Sequence, residues 1–423
     1  MNQQRPRVKR GETQPNMNQP NRSISSPRPL RIAIVVSHPI QHFVHLYRGL
    51  AAQPGVTLKV FFCSRIGLES YFDPHMKVEI KWATDLLGGY EQEFLPGAEN
   101  IKATTLRTVD NPGVGAALAA FKPDVVQLHG YAQLTLLKAL WWCRSHRVPA
   151  LIWSDSSLLF ERPGWKQRLK AVVMPLLLRQ FAAVLTTGDN NVDYYRHFGV
   201  PASRLFRCPF TVDQTLLRAA RDSRIETRAR LRAQYGIADD RFVALFVGKL
   251  APWKRPGDLL EAIIQLRSQR PTAERLVAFF AGDGELRSAL ALRAQGAPAI
   301  FAGFINVDLL PSIYAMADVL VFPSSKEPYG LSAREAICVG LPLIVSDQIG
   351  CIGPTDAARP GLNAEVYPAG DVDALAAAIS GLLENPARHA AMAAASLVAA
   401  DDIAEETSVK GFLSAAHAVT YGR

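Results

Sequence analysis

A chain of 423 residues, 48% hydrophobic and 20% charged, is too long for one ordinary core and has the mixture of a globular protein of two domains. No stretch approaches ~20 uninterrupted apolar residues, so no membrane-spanning helix is expected. Five scattered cysteines (Cys63, Cys143, Cys208, Cys338 and Cys351) without Cys-x-x-Cys spacing argue against a disulfide framework or a zinc site and fit a reducing cytoplasm, and the net charge of +9 comes without any motif for base stacking or groove entry, so no nucleic-acid partner is expected.

More than half of that charge lies in the first 28 residues, where Arg5, Arg7, Lys9, Arg10, Arg22 and Arg28 face one acid, Glu12. Rich in Asn, Gln and Pro and lacking an apolar run, residues 1–28 read as a disordered basic tail, not a secretory signal; contact with anionic lipid or polymer is the sharper alternative. Folding starts with the strand Leu30–Val36, then Ser37-His38-Pro39-Ile40-Gln41-His42 and a helix to about Ala52. Strands at 57–62, 124–128, 149–153 and 182–186 alternate with helical segments, the pattern of a doubly wound parallel sheet. His129 directly follows the strand at 124–128, at its carboxyl end, where a side chain can project into a cleft. Asp155, after Trp153-Ser154, holds a similar position and borders an acceptor side together with His38 and His42; Asp85 reads equally well as a turn residue. A His-x3-His spacing can hold a metal, but no carboxylate or cysteine lies near His38 and His42 in sequence, and none is expected there.

The stretch 162–181 carries Leu169, Val172, Val173, Leu176 and Leu177 at helical spacing beside Trp165, Lys166, Arg168, Lys170 and Arg179. A helix packed on its own sheet is the simplest explanation, with Pro175 as a kink; a rim resting on anionic membrane is the alternative. The segment 206–213 leaves the first domain (29–213), and the Arg- and Ala-rich residues 214–240 read as a helix-bearing linker. A second domain (241–400) opens on Phe242-Val-Ala-Leu-Phe-Val247, whose Gly248-Lys249 turn precedes Lys254 and a helix near Asp258. That arrangement makes a phosphate cradle. Another strand ends in Ala281-Gly-Asp-Gly-Glu285, a second glycine-rich turn. Residues 401–423 read as a C-terminal helix with the N-terminal domain as its candidate packing partner.

The most informative stretch is Glu327-Pro-Tyr-Gly-Leu-Ser-Ala-Arg-Glu335, two carboxylates with seven residues between them across a strand-to-helix turn. The strand Asp318–Phe322 precedes it, and a helix runs from Leu331 to Val339 with Gly340 placed to stop it. Gly330 and Leu331 open that helix, where unpaired N–H groups and the dipole favour a phosphate. Ligands of parallel sheets sit at this edge. Glu327 before the turn and Glu335 one helical turn inside it can both face one pocket; the plainer reading is a loop charge and a solvated helix face.

Gly248-Lys249 with Lys254, the Ala281–Glu285 turn, Phe301-Ala-Gly-Phe304 and Glu327–Glu335 followed by Ala336-Ile-Cys-Val-Gly-Leu-Pro342 resemble, in this order, the donor half of glycosyltransferase family 4. The similarity covers about residues 240–385 and extends more weakly back to residue 30. It implies an α/β fold of GT-B architecture, two facing Rossmann-like domains with a cleft between them, and a retaining, metal-independent enzyme with no cofactor beyond its nucleotide-sugar substrate. By the resemblance, Glu335 holds the ribose, Glu327 a hydroxyl of the transferred sugar, and backbone near Phe304 meets the base. Gly248, Lys249, Lys254, Gly330 and Leu331 surround the diphosphate, and His129 approaches the donor sugar. Attack comes from the front face, with the leaving phosphate helping to deprotonate the acceptor. Two departures stand out: Lys249 replaces a common arginine and loses its bidentate fork, and Gln127 stands where the usual pattern carries an earlier histidine. No Asp-x-Asp follows a strand of the donor half; Asp371-Val-Asp373 reads as a helix cap.

The expected function is therefore transfer of a sugar to a glycan or lipid-linked acceptor in bacterial cell-surface polysaccharide or glycolipid synthesis, in the cytoplasm or peripherally on the inner face of the membrane. A nucleotide-sugar epimerase on the same fold and a non-catalytic glycan-binding subunit remain open alternatives.

Overall fold

The computed structural model describes residues 28–68, 71–73, 78–80, 84–160 and 164–421; the tail call on 1–27, Arg162 and Pro163 lie outside them. The first unit is built from β1 (Leu30–Val36), α1 (Gln41–Ala51), β2 (Val56–Phe62), the short β3 (Tyr71–Asp73) and β4 (Val78–Ile80), and β5 (Glu91–Phe94). It continues through α2 (Val114–Phe121), β6 (Val125–His129), α3 (Leu134–Ser145), β7 (Ala150–Trp153), α4 (Gly164–Leu178), β8 (Ala183–Thr186), α5 (Asp189–His197) and β9 (Leu205–Arg207). Seven of its strands form one parallel sheet in the order β5-β2-β1-β6-β7-β8-β9, while β3 and β4 pair antiparallel.

Residues 214–240 fold as α6 (Gln214–Asp222) and α7 (Arg224–Gln234). Next come β10 (Phe242–Val247), α8 (Pro256–Gln269), β11 (Leu276–Ala281), α9 (Arg287–Arg293), β12 (Ala299–Gly303), α10 (Leu310–Met316), β13 (Val319–Phe322) and α11 (Leu331–Cys338). The chain ends with β14 (Leu343–Ser346), β15 (Ala364–Tyr367), α12 (Val372–Leu383), α13 (Pro386–Asp402) and α14 (Glu405–Thr420). The second sheet is also parallel, ordered β12-β11-β10-β13-β14-β15. Its inner strands β10, β11 and β13 are continuous apolar runs because helices cover both faces, and every residue of the three is buried. Helices α6 and α7 pack against α10 of this unit, with Arg228 and Arg232 both donating to Asp318 at 2.7 Å. Asp371 caps α12 by accepting from the Ala374 N–H at 2.9 Å, the role read from the sequence.

In each sheet the strand order reverses once, beside β1 and beside β10, and the crevice at such a point is where ligands of open sheets sit. A single apolar core runs from one unit into the other, and Phe210 meets Tyr329 with ring centroids 4.7 Å apart. A polar clasp joins them as well. The fully buried Asp356 accepts from the Asp189 N–H at 2.8 Å and from the Tyr329 hydroxyl at 3.3 Å, with the Arg207 guanidinium 3.4 Å away. Asp189 in turn accepts from the Thr355 N–H at 2.8 Å, and Asn190 donates to the carbonyls of Gly350 and Ile352.

One expectation is overturned in the main: α4 turns most of its apolar stripe away from the sheet. Leu177 of the stripe packs on the core beside Met174 and Leu178, whereas Leu169, Val172, Val173 and Leu176 are exposed. Helical periodicity locates a stripe but not the direction in which it points, and the sheet face is already filled from the other side of the helix.

Helix α14 closes the molecule by lying against α1, β8 and β9. A Cβ on Gly411 would stand 1.6 Å from the Arg207 carbonyl oxygen, a backbone atom that cannot swing away. Gly411→Ala should therefore cost about 1–3 kcal/mol, despite the better helix propensity of alanine. Urea denaturation measures this; an unchanged midpoint would mean that α14 does not seat on β9 in solution.

Candidate active site

Two glycine turns at the carboxyl edge of the second sheet stack backbone on backbone. A Cβ on Gly282 would lie 1.9 Å from the Gly248 carbonyl oxygen, so only glycine fits there. Leu250 N–H donates to the Asp283 carbonyl at 2.9 Å, which fixes the turn bearing Gly248 and Lys249. The chain then makes a tight turn over Pro252–Lys254 before α8 begins. Lys254 leaves that turn to form an ion pair with Glu327, its Nζ 5.4 Å from the centre of the Phe322 ring.

Glu327 is held by its backbone: its N–H donates to the Gln348 carbonyl at 3.2 Å and its carbonyl accepts from Gly350 at 3.0 Å. Gly330 follows with φ +113°, and a Cβ there would press on the Phe322 ring at 2.9 Å. This glycine turn opens α11 and points the helix N-terminus toward the crevice edge. Glu335, on the first turns of α11, accepts a hydrogen bond from the Tyr314 hydroxyl at 2.7 Å. Burial pushes its carboxyl up from 4.5 to about 7, against the opposing pull of the Tyr314 hydrogen bond. Leu331, Tyr314 and Glu335 line a cavity of about 270 Å³ whose opposite wall is His42, His45 and Arg48 of α1.

From the first sheet, His129 ends β6 and its Nε2 lies 3.1 Å from the Tyr47 hydroxyl. Phe43 and Trp153 enclose the imidazole, with ring centroids at 4.3 and 5.2 Å. His38 lies in the turn after β1 and bonds to Ser37 through Nδ1 at 2.8 Å; His42 falls in the first turn of α1. Burial lowers His38 to about 4; burial, with neighbouring imidazoles adding to it, lowers His42 and His129 to about 3. All three are neutral at ordinary pH. A second cavity, of about 310 Å³, is lined by His42, Phe43, His129, Trp153, Asp155 and Phe210.

The fold thus brings Lys254 to Glu327, and Leu331, Glu335 and His42 to one cavity, while His42, His129 and Asp155 share the other. Asp155 sits exposed at the rim, and Phe304 lies in the loop just past β12. Gly248 and Lys249 precede the Lys254 turn. Sequence reasoning missed Tyr314, which has no motif of its own, and the α1 wall of His45 and Arg48. Among the described residues, no three His, Cys, Asp or Glu side chains are gathered to hold a metal ion.

The family profile described as glycosyl transferases group 1 matches residues 227–397, and that of the glycosyl transferase 4-like domain matches residues 39–211. Together the two profiles take in most of the chain, which belongs to the group 1 / 4-like glycosyl transferases. Among curated relatives, the alpha-D-kanosaminyltransferase of Streptomyces kanamyceticus is 29% identical over 51% of this chain and 55% of its own length. A GDP-mannose-dependent alpha-(1-6)-phosphatidylinositol dimannoside mannosyltransferase of Mycobacterium tuberculosis is 26% identical over 71% of this chain and 72% of its own. The matched region spans about half the length of the first of these relatives. Among solved structures, Anabaena HepE in complex with UDP superposes with a TM-score of 0.67 at 17% identity, covering 91% of this chain and 98% of the other. The two parallel sheets are those of the GT-B fold.

The raised carboxyl of Glu335 has a measurable consequence. Since the folded state holds this proton more tightly than the unfolded one, the group's contribution to stability declines as pH rises from 4.5 through about 7. Glu335→Gln, which keeps an acceptor for Tyr314, should be more stable than wild type by about 1–3 kcal/mol at pH 8 and lose that advantage near pH 4. Paired denaturation curves across this range test it; parallel curves would place the carboxyl in its ordinary range.

Proposed function

We propose that the protein is a retaining, metal-independent glycosyltransferase that moves a sugar from a nucleotide-sugar to a glycan or lipid-linked acceptor in building cell-surface polysaccharide or glycolipid. The observation that carries this reading is the Lys254–Glu327 pair beside the N-terminus of α11, with Glu335 further along the same helix. Lys254, with Lys249 and the backbone N–H groups at Gly330 and Leu331, offers positive charge to a departing diphosphate, where electrostatic stabilisation of developing negative charge acts most strongly. Glu335 accepts from the ribose hydroxyls, Glu327 from a hydroxyl of the sugar, and backbone near Phe304 faces the base. His129, neutral and braced by Tyr47, contacts the sugar from the opposite domain. His38, His42 and Asp155 border the acceptor. The leaving phosphate takes the acceptor proton, so no side-chain base is required on the attacking face. UDP-glucose is the first donor to try because HepE has been crystallised with it, and GDP-mannose the second because it is the donor of the mycobacterial relative.

A panel of UDP-, GDP- and ADP-sugars should reveal slow donor hydrolysis without added acceptor. Recovery of an epimerised nucleotide-sugar in its place would favour the epimerase reading. Glu335→Ala should weaken donor binding by about 1–3 kcal/mol through loss of acceptors for buried hydroxyls; unchanged affinity by calorimetry removes Glu335 from the site. Lys254→Ala should lower kcat by ~100-fold or more. Wild-type turnover should survive EDTA; activity lost to EDTA and restored by Mg²⁺ or Mn²⁺ overturns the assignment of the diphosphate charge to lysine.

A further inference from the structure

Helix α4 is attached to its sheet by one narrow side and presents its richest apolar side to solvent. Trp165 is 64% exposed, Leu169 57%, Val172 65%, Val173 46% and Leu176 56%. At 100° per residue these five side chains fall within an arc of about 100° and run about 17 Å along the helix. Met174 and Leu178 point the other way and join the core that holds Tyr194 and Phe198, while Lys170 reaches over the rings of those two residues. The exposed stripe is therefore not a core face left uncovered by a local shift of the helix. It amounts to an apolar patch on the order of 500 Å², in the range of the largest patch a monomer exposes, which is often a functional one.

Charge decides what kind of surface it fits. Lys166 and Arg168 fall on opposite flanks of the stripe, Arg179 lies just beyond its end, and residues 164–181 contain no Asp or Glu. A second copy docked on this face by a two-fold axis would set these cations against themselves. An anionic bilayer accepts both parts, the stripe at the boundary between headgroups and acyl chains and the basic flanks at the phosphates. The position is also apt. The loop after β7 carries Ser154 and Asp155 into the second cavity, then leads through Phe160, whose ring lies 5.7 Å from Lys326 Nζ, next to Glu327. Helix α4 begins four residues beyond Phe160, which bounds how far its Trp165 end can stand from that contact.

We infer that the exposed face of α4 docks on anionic membrane and delivers a lipid-linked acceptor to the cleft, an inference that rests on the transferase reading only for the identity of what is delivered. The full chain should sediment with vesicles of phosphatidylglycerol and phosphatidylcholine, not with phosphatidylcholine alone, and should bind less as salt rises. The combined Leu169→Ser, Val172→Ser and Leu176→Ser variant should bind at least ~10-fold more weakly. So should the combined Lys166→Ser, Arg168→Ser and Arg179→Ser variant, with a flatter salt dependence. Both should keep wild-type melting and donor hydrolysis. Brominated acyl chains should quench wild-type tryptophan emission more than that of Trp165→Phe, a readout that does not depend on the serine variants folding. A wild type that hydrolyses donor but stays in the supernatant with anionic vesicles overturns the docking. So does equal binding by the apolar variant, or a self-association that this variant abolishes while vesicle binding is unchanged. Vesicle binding without turnover of any donor upholds the docking and removes the transferase reading instead.

Discussion

The buried carboxylate of Asp356 is the tie on which the cleft depends. A carboxylate without access to water is tolerated only when its oxygens are fully engaged, and here the partners come from both halves of the molecule: the Asp189 amide and Arg207 from the first sheet, Tyr329 from the second. Separating the halves would strand the charge. Tyr329 lies two residues after Glu327, so the same interaction that sets the distance between the sheets also steadies the loop bearing that glutamate. The apolar core shared across the boundary supplies the area, and the clasp supplies the register.

Much of this was legible in the sequence because parallel strands buried on both faces leave uninterrupted apolar runs, and their carboxyl ends are punctuated by glycine. Phe242–Val247 followed by Gly248, and the strand before Glu327 followed by Gly330, are where such runs and glycines predicted them. What the sequence hid are pairings across long separations. Lys254 meets Glu327 only because the adjacent strands β10 and β13 bring their loops together, and Tyr314 meets Glu335 because the helices before and after β13 pack on each other; no local pattern encodes either contact. The clasp was invisible for the same reason. Helix α4 failed differently: its period was correct, but its outward orientation is a property of the sheet beneath it.

The two sides of the cleft differ electrically. The second sheet contributes lysines and a helix N-terminus, whereas the first contributes imidazoles that burial keeps uncharged. Lysine charge is thus gathered where a diphosphate is proposed to lie. The imidazoles of the facing wall stay polar but neutral, able to exchange hydrogen bonds with a sugar, and the charges on that side belong to Arg48, Asp85 and Asp213 along the first cavity.

The Lys254–Glu327 pair carries a last implication. The group proposed to meet an anion and the group proposed to meet a hydroxyl satisfy each other, so neither is idle. A lone phosphate would win Lys254 only by stranding Glu327, and a free sugar the reverse; each exchange leaves one partly buried charge unpaired. A molecule bearing both functions at the proper separation replaces both partners at once. On the proposed roles, the pair would act as a coincidence gate that favours an intact donor over its fragments, including those left behind after each turnover.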